Sequence, residues 1–288
     1  MLFGSIPALV TPFRDGEVDI PAFARFVEWQ IASGSHGLVP CGTTGEGITL
    51  EPDEQRIVIE ACVEQAHGKV PVIAGTGAPA THRAVALAQM ARGAGVDAVL
   101  VAPPWYNKPS QLGIIAHFRE ISKVGIPIIL YNVPSRTLVD ILPETMGEII
   151  KFPNIIGIKD ATGDLDRVAA QREICGAEFL QLSGEDATAL AFYQKGGLGC
   201  ISVTANVLPQ QCADFQNALR AGNIELAMGL DAKLKAAHRA MFADPSPAPA
   251  KYALSKMGKM NNELRLPMLP ASQNARILVD QAMAAALD

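Results

Sequence analysis

Cysteine and histidine are scarce in this chain, and neither is grouped. Its 288 residues include 5 Cys (Cys41, Cys62, Cys175, Cys200 and Cys212) and 5 His, with no C-x-x-C pair and no histidine at ligand spacing from a thiol. A zinc site is therefore not expected, and the isolated thiols read as buried side chains in a reducing cytoplasm. Long apolar runs are missing as well: no stretch approaches the ~20 uninterrupted apolar residues of a membrane helix. The opening Met1-Leu-Phe-Gly-Ser-Ile-Pro7 lacks the charged-then-apolar layout of a signal peptide and reads as the start of a strand. There is no excess of positive charge. With 24 Lys and Arg against 29 Asp and Glu, the net charge is −5, which excludes the basic footprint of a nucleic-acid binder. What is abundant is apolar material: 49% hydrophobic against 18% charged residues supports a large core and excludes disorder.

Short apolar runs bounded by turn residues recur along the first two thirds of the chain. They are centred on Ile6–Val10, Gly37–Pro40, Val70–Ala74, Ala98–Ala102, Ile126–Tyr131, Ile155–Ile158, Phe179–Leu182 and Leu198–Val203. Nearly continuous apolar character predicts parallel strands covered on both faces. Helical periods lie between them. Asp19 is placed to cap a helix with Pro21 in its first turn, ending near Gly34. Pro52 opens a second, with Gly68 just past its end, and Ser110 and Gly125 bracket another. Eight strand-helix repeats predict a (β/α)8 TIM barrel. The alternative, an open doubly wound sheet, would carry a Gly-rich dinucleotide fingerprint after its first strand, and Val10-Thr-Pro-Phe-Arg14 is not one. We expect the barrel over residues 1–205, its closing helix reaching about 222, and a C-terminal helical extension over 206–288 broken at Asp244-Pro-Ser-Pro-Ala-Pro249.

In a barrel, chemistry belongs at the C-terminal ends of the strands. Those ends hold Cys41-Gly-Thr-Thr-Gly-Glu-Gly47, Pro103-Pro-Trp-Tyr-Asn107, Tyr131-Asn-Val-Pro-Ser-Arg136, Lys159-Asp-Ala-Thr-Gly163 and Ser183-Gly-Glu-Asp186. Lys159 ends an apolar strand, where an amine withdrawn from water can attack a carbonyl. A lysine paired with Asp160 fits that position equally well. Tyr131 can relay a proton or simply be a core tyrosine with its hydroxyl at the rim. Thr43 and Thr44 sit in a Gly-flanked turn whose N–H groups suit a small carboxylate, though a plain tight turn has the same sequence. Arg136 offers a planar fork for a second carboxylate, or is an exposed loop arginine. Glu46 and Asp160 read most simply as supporting or capping residues.

The strings Gly42-Thr-Thr-Gly-Glu46, Tyr131-Asn-Val-Pro-Ser-Arg-Thr137 and Gly157-Ile-Lys-Asp-Ala-Thr-Gly163 resemble the dihydrodipicolinate synthase family, within the pyruvate-dependent superfamily that also holds N-acetylneuraminate lyase. The resemblance runs from Gly4-Ser-Ile-Pro-Ala-Leu-Val-Thr-Pro-Phe13 to Leu266-Pro-Met268. It implies a Schiff base between Lys159 and pyruvate, and condensation with L-aspartate 4-semialdehyde on the route to lysine and diaminopimelate. It also implies a proton relay of Thr43, Tyr131 and Tyr106, the last lent by a neighbouring subunit of a homotetramer built as a dimer of dimers. Thr44 would hold the pyruvate carboxylate, Arg136 the semialdehyde carboxylate, and Gly184 and Ile201 would shape the pocket through their backbone. No cofactor or metal is implied.

Two departures stand out. Leu138 follows Thr137 where the synthases usually have Gly, beside Arg136. Lysine-inhibited members place polar side chains near positions 52, 55, 79 and 83 and an aromatic near 105; here these are Pro52, Gln55, Pro79, Arg83 and Trp105. Pro79 has no side-chain amide and Arg83 repels an ammonium, so feedback inhibition by L-lysine is expected to be weak or absent. The nearest rival is a pyruvate aldolase of 2-keto-3-deoxy sugar acids or of N-acetylneuraminate type, which generally lacks an arginine at position 136. A catalytically dead barrel acting as metabolite sensor or scaffold would have lost the lysine or the tyrosine. A phosphate-binding barrel is disfavoured by Glu185 and Asp186 at the loop where such barrels need a Gly-rich nest.

Overall fold

The computed structural model describes residues 2–287. Seven parallel strands form one curled sheet, in the order Gly4–Pro7, Gly199–Ser202, Leu180–Ser183, Ile155–Asp160, Ile128–Asn132, Ala98–Val101 and Ile73–Gly75. The gap between the two edges is bridged by Leu38 and Val39, which pair in parallel with Val72 and Ala8. Val39 N–H donates to Pro7 C=O at 3.0 Å and Ile73 N–H to Leu38 C=O at 2.8 Å, so the ring closes with eight positions. The second run is thus the shortest of the barrel. The flanking glycines and Pro40 leave only two residues with extended pairing on both sides. The first strand lies slightly earlier than its apolar run suggests. Beyond Pro7 only the bridge of Ala8 to Val39 continues the ladder, before the chain turns into the loop that follows Leu9.

Strand alternation divides the apolar side chains into two cores. Ile6, Ala8, Val39, Ile73, Ala98, Leu100, Ile129, Leu180, Leu182 and Ile201 fill the barrel interior. The larger set lies between the strands and the surrounding helices, where Phe23, Phe26, Val58, Ile59, Ile114, Phe118 and Ile121 are buried. The helix starts follow the cap chemistry of the sequence. The Asp19 carboxylate accepts from Ala22 N–H ahead of helix Ile20–Ala32, and Ser110 Oγ accepts from Gly113 N–H ahead of Gln111–Ser122. Helix Pro52–Ala66 ends on His67 in the left-handed region, with Gly68 following.

Beyond the last strand come helices Pro209–Arg220, Ile224–Ala240, Ala248–Lys256 and Gln273–Leu287. Pro209–Arg220 packs on the first strand, and Ile224–Ala240 packs against both Pro209–Arg220 and Gln273–Leu287. The proline-rich stretch is only partly a break, because Ala248–Lys256 starts inside it with Pro249 in its first turn, where no N–H is needed. Residues 257–272 are not helical. They cross to the loop Asp15–Gly16, whose two N–H groups donate to the Glu263 carboxylate at 3.1 and 2.6 Å. Among the described residues no helix is long and apolar enough to cross a membrane.

Candidate active site

The barrel interior is filled up to Ile129 and its register neighbours Gly157 and Leu180, and the next level holds Tyr131 and Lys159 beside Leu182. Tyr131 and Lys159 are register partners on adjacent parallel strands, one pleat above Ile129 and Gly157. Lys159 falls inside strand Ile155–Asp160 rather than just after it, and it is buried. Its Nζ lies 4.2 Å from the Tyr131 ring centroid, on the π face. The alternative pairing with Asp160 does not form. Asp160 Oδ1 accepts from Thr162 N–H and Oγ1 at 2.9 and 2.7 Å, and Oδ2 accepts from Gln171 Nε2 at 2.8 Å. Among the described residues no carboxylate comes within ion-pair distance of Lys159.

Both residues open into a cavity of about 600 Å³ at the C-terminal mouth. Thr43, Thr44, Arg136 and Gly184 also line it, so six of the eight candidate residues face one space. Gly184 has to be glycine: a Cβ there would stand 2.7 Å from Ala161 Cβ and 3.1 Å from Lys159 Cε, in the space of the lysine stem. Thr43 and Thr44 ride on a turn packed against Cys41. Cβ atoms at Gly47 and Gly75 would come within 2.2 and 2.3 Å of the Cys41 carbonyl oxygen, so both glycines permit this approach of three chain segments. Among the described residues no side-chain hydrogen bond engages Thr43, Thr44 or Tyr131. Thr43 and Tyr131 therefore line one cavity with hydroxyls free for a ligand.

Arg136 is carried on the short helix Pro134–Thr137, which ends on Leu138 at φ 60°. This is the left-handed position that explains the usual glycine, and Leu138 takes it with its side chain exposed. The loop is fixed from behind. The Asp140 carboxylate accepts from Asn132 Nδ2 at 2.8 Å and from both Nη atoms of Arg167 at 2.8 and 2.5 Å.

Two candidates stand apart. Tyr106 is 89% exposed, sits at φ 71° and does not line the cavity of its own chain. Ile201 is buried in the barrel interior, so only its backbone is available to a pocket. The structure also brings to the cavity residues that the sequence does not assign to the active site. Trp105, Glu185, Phe242 and Ser246 line the cavity, the last two from the C-terminal region. Burial and the neighbouring Asp186 push the Glu185 carboxyl up, while Lys159 and Arg136 pull it down. Burial pushes the Cys41 thiol up, which makes it a poor nucleophile. Among the described residues no cluster of three or more His, Cys, Asp or Glu is arranged to hold a metal ion.

A closed parallel barrel with a buried lysine, a tyrosine and a threonine turn at its C-terminal mouth defines a barrel of the class I aldolase type. The Dihydrodipicolinate synthetase family model matches residues 1–286, and the chain belongs to that family. It is 53% identical over 286 residues to the 4-hydroxy-tetrahydrodipicolinate synthase of Brucella abortus biovar 1, covering 98% of each chain. It is 54% identical over 287 residues to that of Parvibaculum lavamentivorans, covering 99% of each. The solved structure of the 4-hydroxy-tetrahydrodipicolinate synthase from the methanotroph Methylacidiphilum fumariolicum SolV superposes with a TM-score of 0.97 at 35% identity, covering 100% of this chain and 96% of that one.

Proposed function

We propose that this protein condenses pyruvate with L-aspartate 4-semialdehyde to form 4-hydroxy-tetrahydrodipicolinate, in the biosynthesis of diaminopimelate and lysine. The carrying observation is the pair Lys159–Tyr131, side by side in register with Nζ 4.2 Å from the ring centroid, at the floor of a cavity walled by Thr44 and Arg136. Family membership and the relatives' names support the same reading.

In this account the Lys159 amine adds to C2 of pyruvate, and the carbinolamine loses water to give a protonated imine. Loss of a methyl proton gives the enamine, whose C3 attacks the aldehyde carbon and leaves a hydroxyl there. The amino group of the second substrate then adds to the imine carbon. It expels the Lys159 amine, closes the six-membered ring and restores the enzyme. Tyr131 passes protons to and from the carbinolamine oxygen, with Thr43 on one side and Tyr106 of a neighbouring subunit on the other. Thr44 and the N–H groups of its turn take the pyruvate carboxylate, and Arg136 takes the carboxylate of the semialdehyde. Gly184 and Ile201 shape the pocket through their backbone. No cofactor takes part.

The exposure of Tyr106 supports its use by a second copy. The assembly we propose is a homotetramer built as a dimer of dimers, working in the cytoplasm. We propose the matching division of the chain: a catalytic barrel over 1–205, closed by a helix reaching about 222, with a helical region over 206–288 packed on it. The test is NADPH consumption in an assay coupled to dihydrodipicolinate reductase, with Lys159→Ala beside the parent. Turnover of about 1–1000 per second in the parent alone supports the reading. Absence of turnover on these substrates, with activity on a 2-keto-3-deoxy sugar acid, removes it.

A further inference from the structure

Two residues past Thr44, Glu46 is turned under the carboxylate-binding turn. Its backbone is left-handed at φ 54°, a conformation a glutamate holds only when its surroundings fix it. Its N–H donates to Thr43 C=O at 3.1 Å, and Gly47 N–H donates to Gly42 C=O at 3.1 Å, so the orientation of Glu46 and that of the Thr43–Thr44 turn are one geometry. The side chain points inward. One carboxylate oxygen accepts from Lys251 Nζ, and the other accepts from Arg265 N–H at 3.0 Å. Lys251 has no exposure, donates also to Glu263 C=O at 2.8 Å, and lies 4.2 Å from the Phe13 ring centroid.

A fully buried ion pair is a poor source of stability, because desolvating both charges costs about as much as pairing returns. Well-packed apolar residues would hold the C-terminal region to the barrel as well. What the pair supplies instead is direction: it fixes one oxygen of Glu46, and with it the turn that carries Thr43 and Thr44. We propose that Lys251 is a positioning residue for pyruvate, acting through Glu46 on the Thr43–Thr44 turn, so that the C-terminal helical region sets the affinity of the barrel for its first substrate. This inference rests on the pyruvate reading given above.

The charged groups around the Lys251 amine are Glu46 from the turn, and Glu263 and Arg265 from the crossing segment; Arg265 is itself paired with Glu54. Burial draws the Lys251 amine down to about 8, against the opposing pull of Glu46. Above that pH the tether loses its charge in the folded enzyme, and Glu46 keeps the backbone donor and only an uncharged, weaker amine donor. Pyruvate binding should then weaken. Alkali has the opposite effect on an attacking amine, so the two signs separate.

The measurement is the pyruvate concentration that half-saturates borohydride trapping on the whole enzyme, for the parent, Lys251→Met and Lys251→Arg. With melting curves confirming fold, Lys251→Met should raise it about tenfold or more, while Lys251→Arg stays within about threefold of the parent. Between about pH 7 and about pH 9.5 the ratio of the parent value to that of Lys251→Arg should rise severalfold, the attacking amine's own pH dependence being common to both. A folded Lys251→Met with the parent's half-saturation overturns the proposal. If Lys251→Met does not fold, the pH series decides: a ratio of parent to Lys251→Arg that stays constant with pH overturns it. No pyruvate adduct in the parent at any concentration overturns the pyruvate reading itself, which is a different result.

Discussion

Lys159 and Tyr131 face each other across one ladder position of the barrel, with the lysine Nζ 4.2 Å from the centre of the tyrosine ring. The ring face packs on the amine, while the phenol hydroxyl has no partner within the described residues. Packing and proton relay can therefore be separated. Tyr131→Phe keeps the ring and removes only the hydroxyl. It should still form the pyruvate adduct, but more slowly, while turnover in the coupled assay falls by about 10²–10⁴. Turnover within a factor of about two of the parent would remove Tyr131 from the relay.

His117 should set the acid limit of stability. It is buried on helix Gln111–Ser122, with Nδ1 3.0 Å from Thr81 Oγ1, and burial takes it from 6.5 down to about 4. Below the unfolded value the unfolded chain binds a proton that the folded chain refuses. Stability is therefore full above about pH 6.5 and is lost as pH falls toward 4, by up to about 3 kcal/mol. Urea unfolding of the parent and His117→Gln at neutral pH and near pH 4 checks this. The variant should lose less stability on acidification, and equal losses would assign the acid limit to other groups.

Leu138 adopts φ 60° at the end of the Arg136 helix with its side chain exposed. A non-glycine residue there costs about 1 kcal/mol, and its side chain recovers little by burial. Leu138→Gly should raise the melting temperature by about 2 °C, less whatever the glycine costs in unfolded-chain entropy. A lower melting temperature would mean that the strain at Leu138 is smaller than the glycine's entropy cost.

L-lysine should inhibit weakly or not at all. Pro79 has only its carbonyl to offer, and that accepts from Asn107 Nδ2 at 3.0 Å. Arg83 would set a guanidinium against the inhibitor's ammonium. Initial rates at about 1 mM L-lysine should stay above about 80% of the uninhibited rate, whereas half-inhibition below that concentration would contradict the reading.

Much of this was legible in the sequence, for local reasons. Parallel strands buried on both faces are short apolar runs whatever their neighbours, and the caps at Asp19 and Ser110 act within three residues. The cluster of Lys159, Tyr131, Thr44 and Arg136 was legible because barrel topology brings all strand ends to one mouth. What escaped was whatever depends on long-range packing. Glu46 read as a supporting or capping residue, but its partner Lys251 lies 205 positions away. Phe242 and Ser246 reach the cavity from a region whose only sequence signal is a broken helical period. Lys159 could be separated from Asp160 only by seeing Thr162 and Gln171 occupy the carboxylate. Tyr106, exposed on one chain, carries no local sign of where its ring goes.

The central claim is that Lys159 is the residue that joins covalently to pyruvate. Borohydride reduction in the presence of pyruvate, followed by peptide mass mapping, tests it directly. The account predicts a single reduced pyruvyl adduct on the peptide that contains Lys159, and none in Lys159→Ala. An adduct on another lysine, or no adduct in a folded parent enzyme, would contradict it.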